Sequence, residues 1–370
     1  MDKSTALNPA YSRIPALDGI RGVAIALVLI VHFYYRGPQI TSSPISKEYF
    51  IFGWTGVELF FVLSGFLITS ILLKAKKAGG NLSAFYINRS ARILPLYVVF
   101  LGALLLASYI SLPPPLSNSL LNFREYFFTY FFYISNFAYI AGWDLAKADI
   151  LLSPTWSLAV EQHFYLFWPL LVLFLSEKLT RRVIACVYIA MVTVRLYLAG
   201  HMNPDVVYHT TFLHFDGLAI GSLAAMYLPA IVERIKLVKS VAVISFVLMI
   251  VLFASQGTFH YKNQHIFSLG IPLVNVFYCS FMICIMSSKS LSRVFSMRPL
   301  TILGKYSYCI YLLHWPMLMI FSQVKIEANM AMWAALCLSF TLVLLVMARV
   351  SWVLIEKPSS NFIRKLKNRK

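Results

Sequence analysis

Eleven apolar runs follow one another along the chain, and most are close to the length of a membrane-spanning helix. A helix crosses the hydrocarbon core with about 20 residues, most of them apolar. No soluble domain, internal repeat or low-complexity tract is evident between the runs. The pattern predicts an all-α polytopic membrane protein. The runs cover residues 17–35, 52–73, 94–111, 126–141, 157–176, 183–199, 210–229, 240–255, 266–287, 306–323 and 330–355.

Basic residues are distributed unevenly between these runs. Lys and Arg collect on the cytoplasmic side of membrane proteins. Because both ends of the chain carry basic clusters, we expect both termini to be cytoplasmic, and the number of crossings must then be even. The clusters are Lys3 and Arg13; Lys74, Lys76, Lys77, Arg89 and Arg92; Lys178, Arg181 and Arg182; Arg234, Lys236 and Lys239; Lys289, Arg293, Arg298 and Lys305; and the tail from Lys357 to Lys370.

One of the eleven runs therefore does not cross. The weakest candidate, residues 126–141, is short, rich in Tyr and Phe and interrupted by a Ser-Asn pair. Aromatic residues favour the membrane interface, so we interpret this run as a re-entrant or outer-surface helix. About ten transmembrane helices remain. A second non-spanning helix is predicted at 81–95, lying on the inner surface with Arg89 and Arg92 on one face.

The composition agrees with a membrane protein. Hydrophobic residues make up 59% of the 370 residues and charged residues 12%, with a mean hydropathy of +0.74. Soluble domains average about 25% charged residues. The net charge of +18 indicates topology and contact with anionic lipid first, and the scattered basic residues argue against nucleic-acid binding. We assign 1–16 to a cytoplasmic segment, 17–356 to the transmembrane domain and 357–370 to a basic cytoplasmic tail.

The first apolar run contains two ionisable residues, Arg21 and His32. Eleven residues separate them, which places both on one stripe of a helix, roughly 16 Å apart along its axis. An ionisable group inside the membrane costs about 2.5 kcal/mol or more, so such residues are usually functional and have a partner on another helix. The alternative for Arg21 is a side chain that extends to the inner interface.

The predicted topology assigns a depth to the other polar residues in the runs. Glu58, Glu161 and Asp216 fall in the outer half with His32, and a histidine beside carboxylates is the arrangement that general-base catalysis requires. At the inner mouth the topology gathers basic residues, which suit phosphate groups. These basic residues are Arg21, Arg89, Arg92, Lys305 and Arg298, and His314 is placed about a dozen ångströms from the cytoplasm by helical rise.

Each of these residues also has a structural interpretation. Glu161 could pair with a buried base, Asp216 could bond a neighbouring backbone group, and His314 could be a satisfied core residue. Ser64, followed by a glycine, fits close helix packing better than a nucleophile, because no elbow motif surrounds it. The five cysteines lie in apolar runs without metal spacing, and no metal is predicted.

Seven stretches of this sequence resemble the membrane-bound acyltransferase-3 family of integral membrane O-acyltransferases. They occur in order from residue 17 to residue 358, so the resemblance covers nearly the whole chain. Together they are far more specific than any one of them alone. The stretches are LDGIRGVAIALVLIVHF, GVELFFVLSGFLI, RSARILPLY, PTWSLAVEQHFYLFWP, FDGLAIGSLAA, YSYCIYLLHWP and IEKP.

The resemblance implies transfer of an acetyl or short acyl group from cytoplasmic acyl-CoA to a hydroxyl of a carbohydrate-type acceptor at the outer face. His32 matches the family's essential histidine, Arg21 its paired basic residue, Glu161 the acidic residue of the tryptophan-serine motif, and Arg92 the arginine before the isoleucine and proline. The chain departs from the family at His214, where a basic residue is usual, and at Asn88 and Arg89, where an arginine pair is usual.

The resemblance also bears on the setting. Some relatives carry a C-terminal hydrolase-like domain. Because this chain ends at Lys370, we expect the acceptor to reach the membrane domain itself. A bacterial inner membrane is the expected location, and the oligomeric state stays open.

These observations give a specific hypothesis. The phosphates of acyl-CoA lie against Arg21, Arg89, Arg92 and Lys305, and the thioester lies near His32. His32, oriented by Glu58 or Glu161, acts as general base in a ternary complex, because no activated nucleophile is visible. The residues expected to contact the substrate are Trp156, Asp216 and His314.

Two other functions remain open. A transporter for an anionic or glycosylated small molecule would also place charges inside a helical bundle, although no inverted repeat is visible. A non-catalytic partner in glycan assembly is the third possibility, and the retained histidine and carboxylates argue against it.

Overall fold

The computed structural model describes residues 14–42, 47–112, 114, 116–140, 152–203, 207–324 and 326–361, and most of the two predicted cytoplasmic ends lies outside them. The helices are α1 Pro15–Arg36, α2 Lys47–Ile51, α3 Thr55–Lys77, α4 Leu82–Ala107, α5 Leu116–Glu125, α6 Phe127–Phe131, α7 Ser135–Ile140, α8 Thr155–Phe174, α9 Glu177–Ala199, α10 Phe215–Met226, α11 Leu228–Glu233, α12 Ile235–Gln256, α13 Ile271–Ser287, α14 Lys289–Phe295, α15 Arg298–Phe321 and α16 Met330–Ser351.

Shorter elements complete the chain. Single 3-10 turns at Phe52–Trp54 and Phe212–His214 precede α3 and α10, and π-helical turns lie at Ile266–Gly270 and Trp352–Glu356. Two short strands, β1 Gln39–Ser42 and β2 Glu327–Asn329, pair in parallel. They join the chain after α1 to the chain before α16.

The predicted all-α polytopic membrane protein is confirmed. Within the described residues, eight helical segments are long and apolar enough to cross a membrane. The 24-residue helix α15 and the shorter apolar stretch Phe212–Met226 lie in the positions of two further runs. Helices therefore occupy ten of the eleven predicted runs.

The eleventh run, residues 126–141, is divided into short pieces. Helices α6 and α7 have five and six residues, far short of the length needed to cross. Between them Tyr133 adopts a positive φ of 58°, which turns the chain. The described part of this run thus forms no single spanning helix.

The prediction of a separate surface helix at 81–95 is wrong. This segment is the first half of the continuous helix α4. The helix starts at the side chain of Asn81, which accepts hydrogen bonds from two backbone N–H groups, and it continues through Pro95. Proline is tolerated inside membrane helices because neighbouring groups compensate for the lost hydrogen bond. Arg89 and Arg92 therefore lie on a helix that enters the membrane.

Helices α1, α3, α10 and α15 form the centre of the bundle. In α3 78% of the most apolar stretch is buried, against 11% in α16 at the periphery. The central helices touch backbone to backbone through glycines. A Cβ added at Gly304 of α15 would lie 1.7 Å from the carbonyl oxygen of Asp18 in α1, and one at Gly65 of α3 would lie 2.0 Å from that of Leu218 in α10. Such contacts are the usual basis of close packing between membrane helices.

We expect Gly304→Ala to destabilise the protein by about 1–3 kcal/mol, because the added methyl group must push α15 away from α1. Gly102→Ala in α4 is the matched control, since nothing lies within 4 Å of its added Cβ. Thermal unfolding of the purified protein in detergent measures both. Equal melting temperatures of the two variants would show that α1 and α15 accommodate the added methyl group without loss of stability.

Candidate active site

Two neighbouring cavities lie inside the bundle. We call the first the arginine cavity. Its lining includes Arg21, Val57, Phe60, Ser64, Arg89, Arg92, Ser157, Glu161, Tyr308 and Tyr311. We call the second the histidine cavity. Its lining includes Val28, His32, Trp54, Val57, Pro154, Trp156, Tyr208, His209, His260, Tyr261, Lys262, Tyr311 and Trp315.

Helix α1 contributes to both cavities and sets their separation. Arg21 lines the arginine cavity and His32 the histidine cavity. The eleven helical positions between them span roughly 16 Å. The predicted shared stripe is thus present, and its two residues serve different cavities.

The arginine cavity contains a chain of hydrogen bonds that ends on Glu161. The hydroxyl of Ser64 donates to Glu161 Oε1 at 2.5 Å, and the hydroxyl of Tyr165 donates to Oε2 at 3.0 Å. The guanidinium of Arg89 donates to the Tyr165 hydroxyl and lies over its ring, with Cζ 4.0 Å from the ring centroid. Glu161 was predicted in the outer half with His32; its place among the arginines corrects that prediction.

Three of the four predicted donor-binding residues come together. Arg21, Arg89 and Arg92 all line the arginine cavity, and Arg21 also lies 3.8 Å from Asp18 one turn before it. Lys305 is placed elsewhere: its Nζ lies 4.1 Å from the ring centroid of Trp352. Three guanidinium groups in one cavity provide a strong site for phosphate.

In the histidine cavity His32 pairs with His314. Nδ1 of His32 lies 2.8 Å from Nε2 of His314, and the two rings are stacked 5.0 Å apart. Nδ1 of His314 lies 2.6 Å from the backbone oxygen of Tyr311. A carbonyl oxygen only accepts, so Nδ1 of His314 carries a hydrogen, and in the neutral ring its Nε2 accepts from His32. The hydrogen-bond network therefore leaves the lone pair of His32 on Nε2.

This pairing differs from the expected one. We predicted that Glu58 or Glu161 orients His32, whereas Glu58 lies beside His214, Glu161 accepts from Ser64, and His314 takes that place. His314 was also placed near the cytoplasm. Helix α15 begins at Arg298, eight residues before the apolar run, so His314 lies sixteen residues into the helix and level with His32.

Two buried ion pairs lie behind the wall of the histidine cavity. Glu58 Oε1 is 3.2 Å from Nδ1 of His214, and Asp216 Oδ2 is 3.0 Å from the guanidinium of Arg195. All four side chains are fully buried. None is among the residues that line the two cavities, so Glu58 and Asp216 are not in position to touch a substrate.

His214 lies between Glu58 and the wall of the histidine cavity. Nε2 of His214 lies 2.5 Å from the backbone oxygen of Tyr208 and must donate to it. Nδ1 of His214 faces the carboxylate of Glu58 at 3.2 Å. The pair thus fixes Tyr208, a wall residue of the histidine cavity.

Removing one member of this pair is expected to destabilise the protein strongly. His214→Ala leaves Glu58 buried without its partner, at a cost of about 3–5 kcal/mol. Glu177→Ala, which breaks the exposed Glu177–Arg181 pair, should cost under about 1 kcal/mol. Thermal unfolding compares the two, and similar small losses would show that the buried pair is dispensable.

Aromatic side chains form much of the wall of the histidine cavity. Trp156 packs edge-on against Tyr208 and lies 4.8 Å from the His214 ring, and Tyr208 stacks on Tyr261 at 3.9 Å. Burial, reinforced by the charge of Glu58, raises the pKa of Tyr208 well above its ordinary value. Its hydroxyl therefore stays protonated. Trp156, a predicted substrate contact, lines this cavity.

Several residues of the site were not singled out from the sequence. Arg195 was visible as a lone arginine in an apolar run, which is a signal for a buried partner. Tyr208 and Tyr261 gave no signal, because aromatic residues are common throughout this chain.

Comparisons with known proteins agree with the geometry. A family model described as an acyltransferase domain matches residues 14–352. Peptidoglycan O-acetyltransferase OatA of Listeria monocytogenes is 29% identical over 350 residues, covering 88% of this chain and 53% of that protein. O-acetyltransferase OatA of Staphylococcus aureus is 27% identical over 367 residues, covering 95% of this chain and 57% of that protein.

The chain spans about half the length of the curated relatives it matches. No solved structure matches it. The family model, however, extends over nearly the entire chain and includes both cavities. The chain belongs to the membrane-bound acyltransferase-3 family.

Proposed function

We propose that this protein transfers an acetyl or short acyl group from acyl-CoA to a hydroxyl of a carbohydrate-type acceptor, with His32 as the general base. The observation that carries the proposal is the histidine pair. His314 orients His32 so that the lone pair of Nε2 is available, in a cavity adjoining a second one with three arginines. The relatives named as O-acetyltransferases support the acetyl group.

The tautomers of His32 and His314 determine which nitrogen accepts the proton. Nε2 of His32 removes the proton of the acceptor hydroxyl while the oxygen forms a bond to the thioester carbonyl carbon. The hydrogen bond from Nδ1 to His314 keeps the ring in the required orientation as positive charge develops. The tetrahedral intermediate then breaks its C–S bond, and His32 returns the proton to the sulfur of CoA. The products are an ester and free CoA thiol.

The arginine cavity would bind the donor. Arg21, Arg89 and Arg92 provide planar donors for its phosphates, and the pantetheine arm would point along α1 toward His32. Glu161 acts as a positioning residue, because its hydrogen bonds through Tyr165 hold Arg89 in place. Ser64 lines the arginine cavity and His32 the histidine cavity, so we prefer a ternary complex to an acyl-enzyme.

Arg21→Ala is expected to raise KM for acetyl-CoA by about tenfold to a hundredfold, since a hydrogen bond to a charged group contributes about 1.5–3 kcal/mol. Arg21→Lys should be tolerated better, because lysine keeps the positive charge that attracts a phosphate. Arg124→Ala is a control, since Arg124 lies over Tyr109 and lines neither cavity. An unchanged KM in Arg21→Ala would remove Arg21 from the donor site.

The histidine cavity would bind the acceptor. Flat aromatic walls suit sugar rings, which present apolar C–H faces between their hydroxyls, and tryptophan and tyrosine supply both an apolar body and a polar tip. Trp156 contributes to such a wall. Peptidoglycan in the name of the Listeria relative supports a glycan acceptor.

The cellular arrangement is part of the proposal. The basic clusters predict that both termini are cytoplasmic, so the arginine cavity would face the cytoplasmic acyl-CoA and the histidine cavity the outer side. A protein in a bacterial inner membrane would have access to acyl-CoA on the cytoplasmic side and to glycans on the outer side. Glu58 and Asp216 would not contact the acceptor. They would support the wall of the histidine cavity through their ion pairs with His214 and Arg195.

Release of CoA thiol from acetyl-CoA tests the proposal. Purified protein in nanodiscs is mixed with acetyl-CoA, with and without glycan oligosaccharides, and free thiol is followed over time. We expect thiol release that rises with the oligosaccharide. A transporter would leave acetyl-CoA intact under both conditions, and that result would reject the proposal.

A further inference from the structure

The two cavities share a wall. Only Val57 of α3 and Tyr311 of α15 line both of them among the described residues. Arg21, Arg89 and Arg92 lie on one side of this wall and His32 on the other. If the proposed function is correct, the thioester of a donor bound to the arginines must pass between these two side chains to react.

The backbone around this wall has little freedom. Gly56, next to Val57, is packed so closely on α1 that an added Cβ would lie 2.5 Å from the carbonyl oxygen of Ala24. Helix α15 is held on α1 in the same way at Gly304. Opening of the wall therefore requires movement of a side chain. Val57 is short and branched, so the large side chain of Tyr311 is the one that can open a passage.

Tyr311 is held in place by its hydroxyl group. The hydroxyl lies 2.5 Å from Ser157 Oγ and 2.9 Å from the backbone oxygen of Pro154, and Ser157 Oγ is itself 3.0 Å from that oxygen. These three contacts share only two hydrogens, one from Tyr311 and one from Ser157. When the Tyr311 ring moves away, Ser157 can still donate to the Pro154 oxygen, so that oxygen keeps a hydrogen bond. The backbone oxygen of Tyr311 orients His314, and rotation of the side chain leaves that bond in place.

We propose that Tyr311 is a gate between the two cavities, closed in this structure and opened by entry of the pantetheine arm. The proposal rests on the proposed function. A closed gate separates the thioester from His32 and from water that enters the histidine cavity. It would thereby suppress hydrolysis of the donor when no acceptor is present. Tyr311 is in this view a positioning residue, since it forms no bond to reacting atoms.

Hydrolysis of acetyl-CoA without acceptor measures the gate. Tyr311→Ala should raise this rate by about tenfold over the wild type, and Tyr311→Phe, which keeps the ring but loses its anchor, should raise it less. Tyr278→Ala is the matched control, because Tyr278 is equally buried and hydrogen-bonded to Thr55 but lines neither cavity. Adding His32→Ala to Tyr311→Ala should return hydrolysis to background.

Narrowing the passage should have the opposite effect. Val57→Phe places extra volume between the cavities, so transfer to an oligosaccharide should fall by about tenfold. This variant decides the question if Tyr311→Ala fails to fold. Wild-type rates of hydrolysis in folded Tyr311→Ala and wild-type transfer in Val57→Phe would overturn the gate. Absence of any acetyl-CoA turnover by the wild type would instead overturn the proposed function.

Discussion

His32→Ala is expected to abolish acyl transfer while the protein remains folded. General-base catalysis contributes about 10²–10⁴-fold, and the alanine variant removes the only nitrogen that the hydrogen-bond network leaves free in the pair. His32 is half-buried at the wall of a cavity, so removal of its side chain enlarges that cavity. Only Nε2 of His314 loses its partner in the histidine pair. The measurement is CoA release with an oligosaccharide acceptor in nanodiscs.

The matched control is His265→Ala, because His265 is exposed and lines neither cavity. It should retain wild-type turnover. The melting temperature of His32→Ala should stay near that of the wild type, which separates a catalytic loss from a folding loss. Full turnover by His32→Ala would contradict the role of this residue as general base.

His314→Ala is expected to lower kcat by about a hundredfold, with little change in KM for acetyl-CoA. Without His314, Nδ1 of His32 has no acceptor, so the ring can rotate and the lone pair can move to the wrong nitrogen. His314→Gln should recover part of the activity, because the amide oxygen of glutamine can accept the same hydrogen bond.

A merely structural role for His314 predicts a different pattern. Both variants would then lose folded protein, and kcat per folded molecule would stay unchanged. Thermal unfolding and steady-state kinetics on the same preparations distinguish the two cases. Equal kcat values in His314→Ala and the wild type would reject the histidine pair as a catalytic unit.

Most of the fold could be predicted from hydropathy alone, because burial of backbone hydrogen bonds in lipid allows only helices and closed barrels. Ten of the eleven runs form helices where they were predicted. The mistake at 81–95 arose because its arginines lower the local hydropathy, whereas Asn81 caps a helix that continues into the apolar run. Hydropathy detects apolar stretches, not helix ends.

The same limitation explains why the histidine pair was missed. Depth was counted from the start of the apolar run at residue 306, whereas α15 starts at Arg298. His314 was thus placed about two turns too close to the cytoplasm. With the correct start, the spacing on α1 and α15 would have placed His32 and His314 at one level.

The arginines and Glu161 were recognisable individually, but their partners depend on tertiary packing. Nothing in the sequence indicates that Glu161 accepts from Ser64 and Tyr165, or that Asp216 pairs with Arg195 twenty-one residues earlier.

Transfer of a labelled acetyl group tests the central claim most directly. Purified protein in nanodiscs is incubated with acetyl-labelled acetyl-CoA and a glycan oligosaccharide, and the oligosaccharide is analysed by mass spectrometry and treated with mild alkali. The account predicts a labelled, alkali-labile ester on the oligosaccharide with the wild type and none with His32→Ala. An oligosaccharide that gains no label from the wild type, or gains it equally from His32→Ala, would contradict the account.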